Sequence, residues 1–163
     1  MSEQPVYSSV LVPTDLSDRA ALALPHAAAL VAPGGTIHLA HVIEQPEVPN
    51  PGYAHYGPTA GTPEEQERRE RKARAALEEL SARFSPSTRF TVRCHVEHSQ
   101  GDRVDEHLCR LAGSLRVDLV CLASHGRRGL ARVLLGSVAE GVLRRCRLPT
   151  LVVRAPLGSL RSE

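Results

Sequence analysis

With 163 residues, 42% of them hydrophobic and 23% charged, the chain is predicted to fold as one globular domain, 1–163, and not to stay disordered. Aromatics at 3%, no Trp, a net charge of +2 and a pI near 8.5 exclude the aromatic-studded basic face of a nucleic-acid partner and call for an aliphatic core. The opening MSEQPVYSS lacks a basic n-region and an apolar h-region, and no apolar run approaches the ~20 residues of a membrane span, so a cytoplasmic protein without a membrane partner is expected.

Ser8 to Pro13 (SSVLVP) is a short apolar run and reads as a buried strand. Asp15 and Ser17, both good helix caps, precede an Ala/Leu-rich helix expected over Asp18 to Val31. Pro33-Gly34-Gly35 reads as its stop, and Thr36 to Val42 as the second strand. Residues 45–63 hold five prolines and three glycines and read as a long Pro/Gly-rich surface loop.

Thr62-Pro63-Glu64-Glu65 has the signature of a helix start, with Pro at the first helical position and Glu at the third. That helix is expected to run to Arg83, its apolar stripe confined to Ala73, Leu77, Leu80 and Phe84 and its first half projecting into water. The basic run Arg68, Arg69, Arg71, Lys72 and Arg74 is mixed with Glu64, Glu65, Glu67 and Glu70, so it reads as a solvated face of i,i+4 pairs. Phe90 to Val96 follows as a strand, Arg103 to Leu115 as a helix, and Leu119 to Ala123 (LVCLA) as a central strand. Ser137-Val138-Ala139-Glu140 reads as a capping box opening a helix to Cys146, and Thr150 to Arg154 as the last strand.

The alternation β-α-β-α-β-α-β-α-β predicts a doubly wound α/β fold: a five-stranded parallel sheet with helices on both faces, Rossmann-like, its core at about 6–155. Cys94, Cys109, Cys121 and Cys146 are widely spaced and read as small buried hydrophobes in a reducing cytoplasm, not as a disulfide framework or a zinc site.

Ligands of such sheets sit beyond the carboxyl ends of the strands, where the strand order reverses. Two segments end strands in that way: Pro13-Thr14-Asp15-Leu16-Ser17, and Ala123-Ser124-His125-Gly126-Arg127-Arg128-Gly129 with Gly136-Ser137 beyond it. Gly126, Gly129 and Gly136 allow close approach of a ligand to the backbone. A helix starting at Ser137 aims free N–H groups at the turn, and Arg127 and Arg128 are suited to phosphate. Asp15 suits ribose hydroxyls or a divalent cation. Each residue also has a plainer reading: Ser137, Asp15 and Ser17 as helix caps, the glycines as turn formers, the arginines as a solvated pair. His38 and His41, like His95 and His98, are three apart on a strand and point to opposite faces, which speaks against a transition-metal site. His125 is a candidate base without an evident orienting partner.

On these residues the chain resembles the universal stress protein family, whose nucleotide-binding members carry G-x2-G-x9-G-[ST] after the fourth strand. The matching positions are Ala123-x2-Gly126-x9-Gly136-Ser137. VLVPTDLS resembles the family's strand-one ending, His41-Val42-Ile43 its second strand end, and Leu148-Pro149-Thr150-Leu151-Val152-Val153 its dimer-forming last strand.

The resemblance implies the following roles. Pro13, Thr14 and Val42 line an adenine pocket. Asp15 contacts ribose, or Mg or Mn carried by the nucleotide. Gly126, Gly136 and Ser137 hold phosphates, with Arg127 and Val138 nearby. Ala123 replaces the first motif glycine. A position needing only close approach tolerates its methyl, whereas one needing positive φ costs about 1 kcal/mol.

The implied function is an ATP-binding (or ADP- or AMP-binding) stress-response regulator, homodimeric through Thr150 to Arg154, with a protein partner the sequence does not name. It is expected not to be an enzyme beyond slow ATP hydrolysis. The alternative is a nucleotide-free dimeric interaction module of the same fold. A small adenylating or hydrolytic enzyme would have only His125 and Asp15 to work with.

Overall fold

The computed structural model describes residues 7–44, 62–84, 89–99, 101–124 and 135–154. Most of the Pro/Gly-rich stretch and the turn carrying His125, Gly126, Arg127, Arg128 and Gly129 lie outside the described residues. Five strands form one parallel sheet: β1 (Tyr7–Pro13), β2 (Val31–Ile43), β3 (Thr91–His98), β4 (Leu119–Ala123) and β5 (Thr150–Val153). Their order across the sheet is β3-β2-β1-β4-β5, the doubly wound arrangement in which the winding reverses between β1 and β4.

The helices are α1 (Asp18–Ala21), α2 (Ala23–Leu30), α3 (Pro63–Phe84), α4 (Val104–Ser114) and α5 (Ser137–Arg145). The apolar side chains divide by strand parity into two cores, one on each face of the sheet. Val10, Val12, Ile37, Leu39 and Cys121 meet α2 and α3 through Leu24, Ala27, Leu77 and Leu80. Leu11, Ala40, Val42, Val120 and Leu122 meet α4 and α5 through Leu108, Leu111, Ala112, Ala139 and Val142. Helices thus cover both faces, as the alternating pattern predicts.

The helix expected over Asp18 to Val31 is in fact two. Pro25 has no N–H to donate and its ring crowds the carbonyl four residues back, so the helix breaks at Leu22. The Leu22 N–H bonds Arg19 O at 3.2 Å and α2 starts afresh at Ala23.

The second strand starts earlier than expected, at Val31. Pro33-Gly34-Gly35 does not end the preceding helix; it forms an irregularity within β2. Tyr7 pairs with Val31, the register then shifts, and pairing resumes at Ser9 with Thr36. Gly34 has φ +79°, and a Cβ on Gly35 would lie 2.7 Å from Ser8 O, so both positions require glycine.

The start of α3 agrees with its sequence signature in both directions: Thr62 N donates to Glu65 Oε2 at 3.2 Å and Glu65 N to Thr62 Oγ1 at 3.3 Å. Its buried residues are Ala73, at the midpoint, and Leu77 and Leu80 beyond it.

Helices α4 and α5 are clasped by a carboxylate. Asp105, 3% exposed, accepts from Arg103 Nε at 3.1 Å and Arg145 Nη1 at 2.7 Å. It sits against Gly141, where an added Cβ would come within 2.2 Å of its Oδ2.

Candidate functional site

The β1–β4 pairing is short. Val10 pairs with Leu119 and Leu11 with Val120, whereas β1 stays paired with β2 out to Pro13–Ala40 and β4 with β5 out to Ala123–Val153. The two central strands therefore each follow a different neighbour toward their carboxyl ends, which opens the crevice where an open α/β sheet binds its ligand.

On the β1 side, Pro13 ends the strand and Thr14, 7% exposed, turns out of it. Three bonds hold that turn. Thr14 N donates to Ala40 O at 2.8 Å, Leu16 N donates to Thr14 Oγ1 at 3.0 Å, and His41 Nδ1 lies 2.9 Å from Thr14 O. A carbonyl only accepts, so His41 carries its proton on Nδ1 in this contact.

Asp15 Oδ1 then takes the Ser17 N–H at 3.0 Å and the Ser17 hydroxyl at 2.5 Å, while Ser17 Oγ accepts from Ala20 N at 3.2 Å. Ser17 is the cap of α1 and Asp15 orients it. Between them Leu16 has φ +66°, a left-handed conformation costing a branched residue about 1–2 kcal/mol. The Thr14 and Asp15 bonds on either side and Leu16's contact with the first core maintain it.

On the β4 side, Ala123 ends the strand opposite Val153, and Ser124, 3% exposed, donates its N–H to Val153 O at 2.8 Å. The chain comes back to this point at Gly136, whose N–H bonds Ser124 O at 2.7 Å. That bond fixes the start of α5 over the end of β4.

The expected capping box is not formed. Gly136, with φ −60° and ψ 150°, is the cap, Ser137 is the first helical residue, and Glu140 pairs with Arg144 at 2.7 Å. The bond from Glu140 N to Gly136 O at 2.9 Å sets the first turn one residue earlier than the sequence signature implies. The first N–H groups of a helix have no acceptor within it, and a glycine cap brings no side-chain oxygen to them. The positive end of the α5 dipole lies at Gly136, beside the end of β4.

Pro13 ends β1 with Thr14 and Asp15 just beyond it, Ala123 ends the neighbouring β4, and Gly136, Ser137 and Val138 open α5, which the Gly136–Ser124 bond ties to the end of β4. Val42 and Val138 belong to the second core, with Leu122 and Ala139. Gly126 and Arg127 lie outside the described residues. Ala123 is an extended strand residue, so it carries no positive-φ cost. The role of His41 escaped the strand-parity argument, which asked only about metals. The strain at Leu16 has no sequence signature at all.

Away from the crevice, His38 on β2 and His95 on β3 have Nδ1 and Nε2 2.9 Å apart. Ala40 is registered opposite His95, so the contact is one diagonal step across the sheet. Burial lowers both imidazole pKa values; for His38 the neighbouring His95 and Arg93 add to the effect, and for His95 Arg93 does, opposed by Glu97. Among the described residues no three His, Cys, Asp or Glu side chains converge as metal ligands, and no helix is long and apolar enough to cross a membrane.

A doubly wound α/β domain with a crossover crevice between β1 and β4 is the class that the fold defines. The chain belongs to the Universal stress protein family, whose sequence profile matches residues 7–154. It is 30% identical over 161 residues to Universal stress protein MJ0531 of Methanocaldococcus jannaschii, covering 93% of this chain and 84% of that one. The solved structure of MJ0577, from the same organism, superposes with a TM-score of 0.73 at 27% identity, over 93% of this chain and 98% of its own. A universal stress protein solved in complex with cAMP shares the fold at 22% identity and a TM-score of 0.62, over 93% of this chain and 99% of its own.

Proposed function

We propose that the protein is a cytoplasmic, ATP-binding stress-response regulator, with ADP and AMP as weaker or alternative ligands. The observation that carries this reading is the bond from Gly136 N to Ser124 O. It holds the start of α5, whose Gly136 cap lends no side-chain oxygen, at the end of β4 beside the crevice. Phosphate is the ligand for the α5 N–H groups, and adenosine is the ligand for the β1 side, where Pro13, Thr14 and Val42 supply apolar and backbone surface and Asp15 meets ribose. The cAMP bound by a relative of the same fold supports an adenine nucleotide as the ligand class.

Mg or Mn fits as a companion of the phosphates, touched by Asp15, and not as a resident of a protein cage, because oxygen-loving Mg is ordinarily held by substrate phosphates and one or two carboxylates. Slow hydrolysis at most is expected. Asp15 and His41, titratable side chains at the β1 and β2 ends, both hold loop backbone in place. Turnover should fall far below the ~10 per second of a median enzyme.

Homodimerisation through β5 belongs to the same proposal. β5 is a sheet edge of four residues with Leu151 and Val152 half-buried, and pairing with a second copy across a two-fold axis would cover it. Sedimentation should give a dimer at micromolar concentration; a monomer there contradicts it.

Titration calorimetry on nucleotide-stripped protein with ATP and Mg tests the ligand. Micromolar binding, about −8 kcal/mol, is expected. No heat from folded protein would instead favour the nucleotide-free interaction module.

A further inference from the structure

The four cysteines are not equivalent. Cys121, buried on β4, has its thiol pushed up to about 12 by desolvation and donates to Ala23 O at 3.5 Å. Cys94 on β3 donates to Leu77 O at 3.6 Å. Both belong to the first face, and β2 and β1 lie between them. At ~4.8 Å per strand spacing they are too far apart to bridge.

Cys109 and Cys146 lie on the other face, where α4 meets α5, and both are half-exposed. Their register follows from the clasp. Asp105 sits at Gly141. Arg145, one turn beyond Gly141, reaches back to Asp105 at 2.7 Å and Glu106 at 3.2 Å. Cys109 is four residues beyond Asp105, on the same face of α4. Cys146 follows Arg145 as the C-cap of α5, its N–H bonding Val142 O at 2.8 Å, its side chain packed on the second core. The clasp thus sets Cys109 and Cys146 at neighbouring positions of the α4–α5 seam, and after desolvation Cys146 is the neighbour that raises the Cys109 thiol.

We propose that Cys109 and Cys146 are a dithiol–disulfide modification site, oxidised by a low-molecular-weight disulfide such as oxidised glutathione, that staples α4 to the end of α5. In the first step the Cys146 thiolate attacks one glutathione sulfur, forming a mixed disulfide and releasing one glutathione thiolate. In the second, Cys109 gives up its proton and its sulfur attacks the Cys146 sulfur, releasing the second glutathione. Two protein thiols and one oxidised glutathione become one protein disulfide and two reduced glutathiones. The roles follow from environment: desolvation and the neighbouring Cys146 push the Cys109 thiol up to about 11, so Cys109 is the poorer opening nucleophile and acts as the resolving thiol. The closed loop, 109–146, contains β4 and all of α5.

The full chain, reduced and then treated with oxidised glutathione at pH 8, tests this by thiol counting, peptide mapping and thermal melting. Two of the four thiols should disappear without change in covalent chain number, with one linked peptide pair containing Cys109 and Cys146. The melting temperature should rise by about 5–10 °C, and dithiothreitol should reverse both changes. Cys109→Ser should stop the reaction at a glutathione adduct on Cys146. Four intact thiols, a stable glutathione adduct on the unsubstituted protein, or a link through Cys94 or Cys121 would each overturn the proposal.

Discussion

The two ends of the β1–β4 pair are built on opposite terms. At the amino ends the polar groups satisfy one another: Ser8 N and Ser9 N donate to the Asp118 carboxylate at 2.9 and 3.0 Å, and Asp118 N returns a bond to Ser9 O at 2.9 Å. Gly35 presses against Ser8 O with no room for a side chain. At the carboxyl ends the registered pairs stop, Leu16 is held at φ +66°, and α5 opens on a glycine. The same two strands thus have an amino end closed by the Asp118 bonds and a carboxyl end where they part and α5 begins. Saturated polar groups mark structure, and strained backbone such as Leu16 marks a candidate site.

That contrast is broken most sharply by substitutions that separate binding from stability. Gly136→Val should reduce ATP affinity 100-fold or more, about 2.7 kcal/mol, by placing a branched side chain where phosphate approaches. Gly136 has φ −60°, which valine adopts, so denaturant stability should change little. Asp118→Ala should do the reverse. It strips two N–H groups of their acceptor and should lower unfolding free energy by about 2 kcal/mol, with ATP affinity held within twofold. Asp15→Ala should weaken ATP about tenfold, near 1.4 kcal/mol, measured by the same calorimetry, with a smaller loss of stability from the α1 cap. Equal losses of affinity in the Asp118 and Gly136 variants would erase the distinction between the ends.

The smallest effect lies at the sheet edge. His38 and His95 have folded pKa values below the usual 6.5. The neutral pair is therefore favoured in the fold. Its full stability is present above pH 6.5 and is lost as pH falls through the lowered values, because the unfolded chain binds protons first. His95→Gln should flatten the stability profile between pH 7 and 5 by about 1 kcal/mol or less without moving nucleotide affinity.

Much of this was legible in the sequence because it is local. Leu119 to Ala123 is a strand to the residue, since a five-residue apolar run has no helical reading in a parallel sheet. The Thr62–Glu65 box needs only four residues to form. The crevice followed from strand order and the rule that ligands sit at carboxyl ends. Misreadings came where two local signals competed. Pro33-Gly34-Gly35 has turn chemistry and is used as a strand irregularity. Ser137 and Glu140 have the spacing of a capping box, but the Gly136–Ser124 bond starts the helix one residue earlier. Pro25 was absorbed into an Ala/Leu-rich helix that it divides. The His38–His95 and Cys109–Cys146 contacts depend on register between separate elements, which no periodicity within one element carries. The cysteines, read together as small buried hydrophobes, comprise one buried on β4 and three half-exposed, two of them at the α4–α5 seam.

The open-end account is tested most directly by following backbone amide resonances while ATP and Mg are added. It predicts saturable shifts at Thr14, Asp15 and Leu16 and at Ser137, Val138 and Ala139, with Ser8, Ser9 and Asp118 unmoved. Shifts concentrated at the amino ends of the strands, or at the His38–His95 edge, with the α5 amides unchanged, would contradict it.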